Sequence, residues 1–213
     1  MPVSKAKEEQ QRKKREHLVL LLGLLVAHTS DRMAWLATQA ATVGHSNFIG
    51  AAVALLDDAH SDAARYGRTL AGADHGMDLA DMEAGRYAAN DQTTYLIGFD
   101  EDLSNGRYIA EDGTVNEKAI RQRCNLYGGS LVGTANDAWL KTLDPDTEIT
   151  WVLDPDETNH CDGCPALARE NPWTAGTLPT VPGAGDTPCL AYCKCSLRTE
   201  EGLEGFTGGT RHG

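Results

Sequence analysis

Long uninterrupted apolar runs are missing from the 213-residue chain. Its longest apolar run, Leu18 to Ala27 broken only by Gly23, covers about ten residues, where a membrane helix needs about 20. No membrane protein is therefore expected. Basic charge is also scarce: 19 Lys and Arg stand against 31 Asp and Glu, a net charge of −12. What basic charge there is gathers at the start, where Lys5, Lys7, Arg12, Lys13, Lys14 and Arg15 outnumber Glu8, Glu9 and Glu16. The remainder holds 13 basic against 28 acidic side chains. Such a body repels DNA and anionic lipid, so a weak DNA contact is expected only from residues 1–17. Catalytic signatures are missing too. There is no His-x-Glu triplet, and Pro188-Cys189 is followed by three residues before Cys193 where a zinc deaminase spaces its cysteines by two. His-Glu-x-x-His and the phosphate-binding glycine loops are absent, and Gly183-Ala184-Gly185 follows Pro182 in a proline-rich stretch that reads as a turn. The chain is expected not to be an enzyme.

What is present suits a globular protein. The hydrophobic share is 41%, and counting Gly while leaving out Tyr brings it to roughly 48%, the level of ordinary domains. The length allows one domain of usual size with a small appendage and excludes a large multidomain enzyme. The expected fold class is mainly α: a helical body with a long N-terminal helix, then a small loop-rich, zinc-ribbon-like module with short strands. The boundaries fall at 1–143 for the body with its basic arm, 144–198 for a cysteine-rich metal-binding module and 199–213 for a flexible tail.

Within the body, Leu18 to Thr42 lacks proline and is dense in Leu and Ala, which predicts one long helix ending near Gly44. A basic leader before an apolar run also has the form of a signal peptide, but its length and three glutamates suit the exposed first turns of that helix better. Ser46 is a candidate cap for a second helix, whose apolar positions Phe48, Ala52, Leu55, Ala59, Ala63, Tyr66 and Leu70 share one face. A third helix is expected over about Asp78 to Asn90, and residues 91–113 read as mixed, with a turn at Ser104-Asn105-Gly106 and a short strand at Tyr108 to Ala110. Thr114 to Glu117 has the form of a capping box. The helix after it places Ile120, Cys124, Tyr127, Leu131, Ala135 and Ala138 on one face, so Cys124 reads as a small core side chain. Asp144-Pro145 stops that helix, and Ile149 to Leu153 reads as a strand with Trp151 and Leu153 at alternate positions. Asp57, Asp58, His60, Asp62, Asp74, His75 and Asp78 read as a solvated acidic face, with His60 at the edge of the core or in a subunit contact.

The chemistry lies in the remaining cysteines: Cys161, Cys164, Cys189, Cys193 and Cys195. Cys161-x2-Cys164 places two thiolates on one tight turn, and a second group from a distant loop completes a tetrahedron around zinc. The intervening loop is poor in core-forming residues, so a structural zinc supplies what packing cannot. Five cysteines and His160 exceed the four ligands required: Cys193 and Cys195 point to the same side if extended, Cys189 and Cys193 fit a turn, and spacing does not choose between these pairs. Disulfides in an oxidising compartment are the alternative.

Trp151, Cys161-x2-Cys164 with Leu167-Ala168, then Leu178-Pro179-Thr180-Val181-Pro182-Gly183, Thr187, Cys189 and Cys193-x-Cys195-Ser196-Leu197 resemble the cysteine-bearing end of the minor head, or head-morphogenesis, proteins of tailed bacteriophages. The match covers roughly residues 148–198. The helical region around Asp58-Ala59-His60, Ala63 and Gly67-Arg68 is more loosely similar. The resemblance implies a structural virion protein, a minor capsid component near the portal or inner capsid, with portal or capsid proteins as partners and no catalytic residues to carry over. Helix packing would make it a homo-oligomer, located in the virion head and, during assembly, in the host cytoplasm. The alternatives are a zinc-dependent regulatory or nucleic-acid-binding module and a secreted disulfide-stabilised protein.

Overall fold

In the computed structural model, which describes residues 5–44, 47–73, 76–156 and 160–207, the chain is mainly α with three short strands in a loop-rich, cysteine-bearing C-terminal region. Helix α1 runs over Lys5–Val43, so the charged leader and the apolar run form one continuous helix. Its buried side carries Leu18, Leu22, Met33, Ala37 and Ala40, spaced by roughly whole helical turns. An 18-residue window within it is long and apolar enough to cross a membrane, and a third of that window is buried in the protein.

Helix α2 covers Phe48–Leu70, and the cap proposed at Ser46 lies outside the described residues. Helix α3, Leu79–Asp91, starts from a reciprocal capping box in which Asp78 accepts from the Asp81 N–H and Asp81 from the Asp78 N–H. The mixed region is a helix: α4 spans Thr93–Ser104 and buries Leu96, Phe99 and Leu103. Phe99 sits edge-on to Phe48 and Tyr108. The expected strand at Tyr108 to Ala110 is reduced to a single bridge between Ile109 and Val115. That bridge displaces the expected capping box. Thr114 turns its hydroxyl to Asp112, and Asn116 caps α5, Glu117–Thr142, by accepting from the Ala119 N–H.

Helix α5 is the axis of the molecule. Its N-terminal half, with Ile120, Cys124 and Tyr127, closes a core against Met33, Leu56 and Phe99. Its C-terminal half, with Leu131, Ala135 and Trp139, belongs to a second core that continues past residue 143 into Ile149, Trp151, Leu197 and the cysteines. Strand β1, Glu148–Val152, lies between β2, Trp173–Thr174, and β3, Ser196–Thr199, both antiparallel to it. Ile149 and Trp151 share its buried face, and Leu153 lies just past its end.

The expectation of a flexible tail from residue 199 is corrected through residue 207. Phe206 is fully buried, Arg198 and Glu204 form a bridge, and Arg15 of α1 pairs with Glu204 at 3.0 Å. The buried Asn136 amide holds this turn: it donates to the carbonyls of Pro182 and Phe206 and accepts from the Phe206 N–H, at 2.8–3.0 Å. A buried backbone left unpaired costs on the order of 1–3 kcal/mol, and one polar side chain here satisfies two loops. Residues 208–213 lie outside the described part.

Candidate metal centre

Three local structures bring the sulfurs together. Cys164 sits in the first turn of the short helix α6, Gly163–Arg169. Gly163 beside it packs closely on the next loop: a Cβ there would lie 3.2 Å from the Pro188 ring, a tight contact. Cys189 opens a 3-10 turn, Leu190–Tyr192, fixed by the Leu190 N–H donating to the Thr187 carbonyl. Leu190 holds a left-handed φ of 51° in that turn, a conformation a branched side chain adopts only when its surroundings impose it. Cys193 ends the turn, and Cys195 precedes β3.

The result is two groups of three that share Cys164: Cys161, Cys164 and Cys189, and Cys164, Cys193 and Cys195, with the sulfurs of each group within 4.8 Å of one another. Cys161 lies 3.4 Å from Cys164 and from Cys189, Cys164 is 3.7 Å from Cys189, and Cys164 is 3.6 Å from Cys193. A tetrahedron of about 2.3 Å metal–sulfur bonds has edges of about 3.8 Å, whereas a disulfide needs about 2.05 Å. All six cysteines are free thiols. The five sulfurs thus lie close enough to hold a metal ion. His160 belongs to neither group.

The protons of the cluster are unevenly held. Burial pushes the Cys164 thiol up. Cys193 is raised by its hydrogen bond to Cys195 and by burial. Cys195 is lowered to about 6, first by the Cys193 thiol and then, against burial, by the Trp151 indole, Cys164 and the Asp154 backbone. The indole N–H makes no hydrogen bond of ordinary geometry, so its effect is that of a nearby dipole. Burial raises Cys161, but the backbone and thiols of Cys164 and Cys189 outweigh it and lower the group. A bound cation replaces the remaining protons, since the thiolate is the ligand. Trp151, Val181 and Leu197 pack in the same buried cluster as Cys164, Cys193 and Cys195, so the centre is part of the core.

Of the acidic face, Asp74 and His75 lie outside the described residues. Asp58 is exposed, Asp62 pairs with Arg65, and Arg68 reaches Asp78 and Asp81. His60 turns inward and is 1% exposed. Gln92 Nε2 donates to His60 Nε2 at 2.8 Å, which leaves the proton on Nδ1 to donate to Thr134 Oγ1 at 2.7 Å; Gln92 also donates to Ser130. This network floors an open groove of about 740 Å³ between α3, α5 and residues 178–191. Sequence reading placed His60 at the edge because its partners Gln92, Ser130 and Thr134 are polar residues with no motif. Cys124 is buried as expected, and burial raises its thiol to about 12.

Burial lowers His60 to about 4 from an ordinary 6.5. The unfolded chain therefore binds a proton between these values that the folded chain refuses, and stability falls as pH drops through that window. The full effect is about 3 kcal/mol once pH lies below both values. The urea midpoint of the wild type is expected to fall more steeply from pH 7 to pH 4.5 than that of His60→Gln. Equal slopes would remove His60 from the acid response.

A comparison of the chain with protein-family models, with curated proteins and with solved structures gives no match.

Proposed function

We propose that the chain is a structural virion protein of a tailed bacteriophage, a minor capsid or head-morphogenesis component near the portal or inner capsid, whose C-terminal region is held by one structural zinc ion. The observation that carries this reading is the cysteine cluster. The run from Trp151 to Leu197, on which the resemblance rests, folds into a sulfur-lined centre built into the core beside α5. Zinc suits an all-thiolate, four-coordinate site that offers no open position for substrate. Cys161, Cys164 and Cys189 supply three ligands, and Cys193, at 3.6 Å from Cys164, supplies the fourth. Cys195 then stands beside the metal within reach of the Trp151 dipole.

The partners in this reading are portal or capsid proteins and further copies of the chain, in the head and, before that, in the host cytoplasm. The basic leader makes a weak DNA contact at most, because Glu9 and Glu16 already pair with Arg12 and Lys13. A secreted form is disfavoured for a packing reason: cleavage after residue 27 would remove Leu18 and Leu22, both buried in the core. A nucleic-acid module is disfavoured by the acidic body.

The test is copy number in particles assembled with the other structural proteins, measured by quantitative mass spectrometry. The wild type is expected in purified heads at a fixed ratio to portal. Removal of residues 1–16 is expected to leave the fold and the metal in place and to lower that ratio. Absence of the wild-type chain from heads overturns the reading, and an unchanged ratio for the truncated chain removes the arm's part in it.

A further inference from the structure

The five sulfurs of the metal centre are not alike. Cys164, Cys193 and Cys195 are 1–2% exposed, whereas Cys161 and Cys189 are only half-buried, each beside an exposed residue, Asp162 and Pro188. An oxidant dissolved in water meets these outer two first, because attack on sulfur requires access as well as a thiolate. Their sulfurs lie 3.4 Å apart, on loops 28 positions apart in the chain, and a disulfide needs about 2.05 Å. Thr187 brings its hydroxyl to 3.1 Å from the Cys189 sulfur, within reach of an oxygen leaving it. Cys164 also lies 3.4 Å from Cys161, but a bond between those two closes a single turn and restrains the unfolded chain little. A bond across 28 positions restrains it far more. Cys164 is in reach of both outer sulfurs, so thiol–disulfide exchange through it carries the first product to the second.

We propose that Cys161 and Cys189 form a redox pair at which peroxide replaces the zinc ion by a disulfide. One outer thiolate attacks the peroxide: a sulfur–oxygen bond forms, the oxygen–oxygen bond breaks and hydroxide leaves as water. The other thiolate attacks that sulfenic acid; the sulfur–sulfur bond forms, the sulfur–oxygen bond breaks and a second hydroxide leaves as water. The two sulfurs give up two electrons to the peroxide, solvent supplies two protons, and zinc stays divalent. The three buried thiols that remain fall short of a tetrahedral set, and a competing chelator takes the ion. The new bond ties together the same two loops that the ion held. The region is thus held by metal in a reducing compartment and by a covalent link in an oxidising one. The proposal rests on the reading of the sulfurs as a zinc centre and not on the head-protein reading.

The test is hydrogen peroxide treatment of the intact, zinc-loaded chain beside a chromogenic zinc chelator too weak to strip the untreated protein. Zinc release is expected in step with the loss of two of the six free thiols. Alkylation and peptide mass mapping are expected to find Cys161 joined to Cys189, with Cys124, Cys164, Cys193 and Cys195 still free. The fluorescence of the buried Trp151 is expected to stay in place on oxidation, in contrast to chelation of the reduced chain. It is expected to shift to the red once dithiothreitol opens the bond in the zinc-free protein. Cys195→Ser is expected to respond as the wild type does. A chain that keeps its zinc under peroxide overturns the proposal. So does a disulfide at any other pair, a red shift on oxidation, or a Cys195→Ser variant that no longer responds. A chain without zinc before treatment overturns the zinc reading, and the proposal with it.

Discussion

Replacing Cys164 by serine is expected to abolish metal binding and unfold the region from β1 to the C-terminal turn, while Cys124→Ser leaves metal content unchanged. Cys164 is the one sulfur common to both groups of three, so no choice of fourth ligand rescues its loss. It is also 1% exposed and packed in the core with Trp151 and Leu197. Structural zinc sites contribute roughly 10–16 kcal/mol of apparent binding energy to folding, and a three-thiolate remnant forgoes a large part of that. The measurement is metal per chain, with Trp fluorescence as the second readout, because Trp151 is 1% exposed beside the cluster and shifts to the red when water reaches it. Chelation of the wild type should reproduce the spectral change. Within the same series, Cys193→Ser and Cys195→Ser separate the ligand from its neighbour: the first is expected to lose metal and the second to keep it. Full metal and an unshifted spectrum in Cys164→Ser would refute a metal-held fold.

The long helices were legible because their apolar residues recur at helical spacing over five or more turns. Helix α4 was not, although Leu96, Phe99 and Leu103 recur by three and four. It is 12 residues long, and Gln92 serves both as the end of α3 and as the start of α4 without a side-chain cap. Thr114 to Glu117 looked like a capping box because local pattern cannot see that Val115 is taken by Ile109. The tail looked loose for a similar reason. Phe206 is a single aromatic among Gly, Thr and Glu, and only the distant Asn136 explains its burial. At the centre, Cys-x2-Cys spacing identified Cys161 and Cys164, since both sulfurs leave one turn. The geometry of Cys189, Cys193 and Cys195 depends on the strained turn at Leu190, which spacing does not encode.

The same substitution, glycine to alanine, should act with opposite sign at two helical positions, and the reason lies in how α5 is packed. In α2, a Cβ on Gly67 would stand 2.0 Å from the Ala135 carbonyl oxygen and 2.9 Å from the Trp139 nitrogen, both backbone atoms of α5. In α5 itself, a Cβ on Gly128 would stand 2.1 Å from the Ser30 hydroxyl and 2.7 Å from the Val26 carbonyl of α1. The helices cross at these glycines; at Gly67 all the close atoms are backbone and no side chain can swing aside, while at Gly128 the Ser30 hydroxyl is backed by the Val26 carbonyl. Gly67→Ala must push α2 off α5, away from Trp139, which is fully buried. A loss of about 3 kcal/mol or more is expected, at or above the usual range for overpacking. For a chain of this size that is roughly 6–12 °C in Tm. Gly98, in α4, has nothing within 4 Å of its would-be Cβ. There alanine only restricts the unfolded chain and favours the helix, for an expected gain of roughly 0.5–1 kcal/mol. Urea midpoints of the two variants, measured with metal bound, decide the matter. If Gly67→Ala proves as harmless as Gly98→Ala, α2 does not touch α5 at Ala135, and the crossing that carries His60 to Thr134 is misplaced with it.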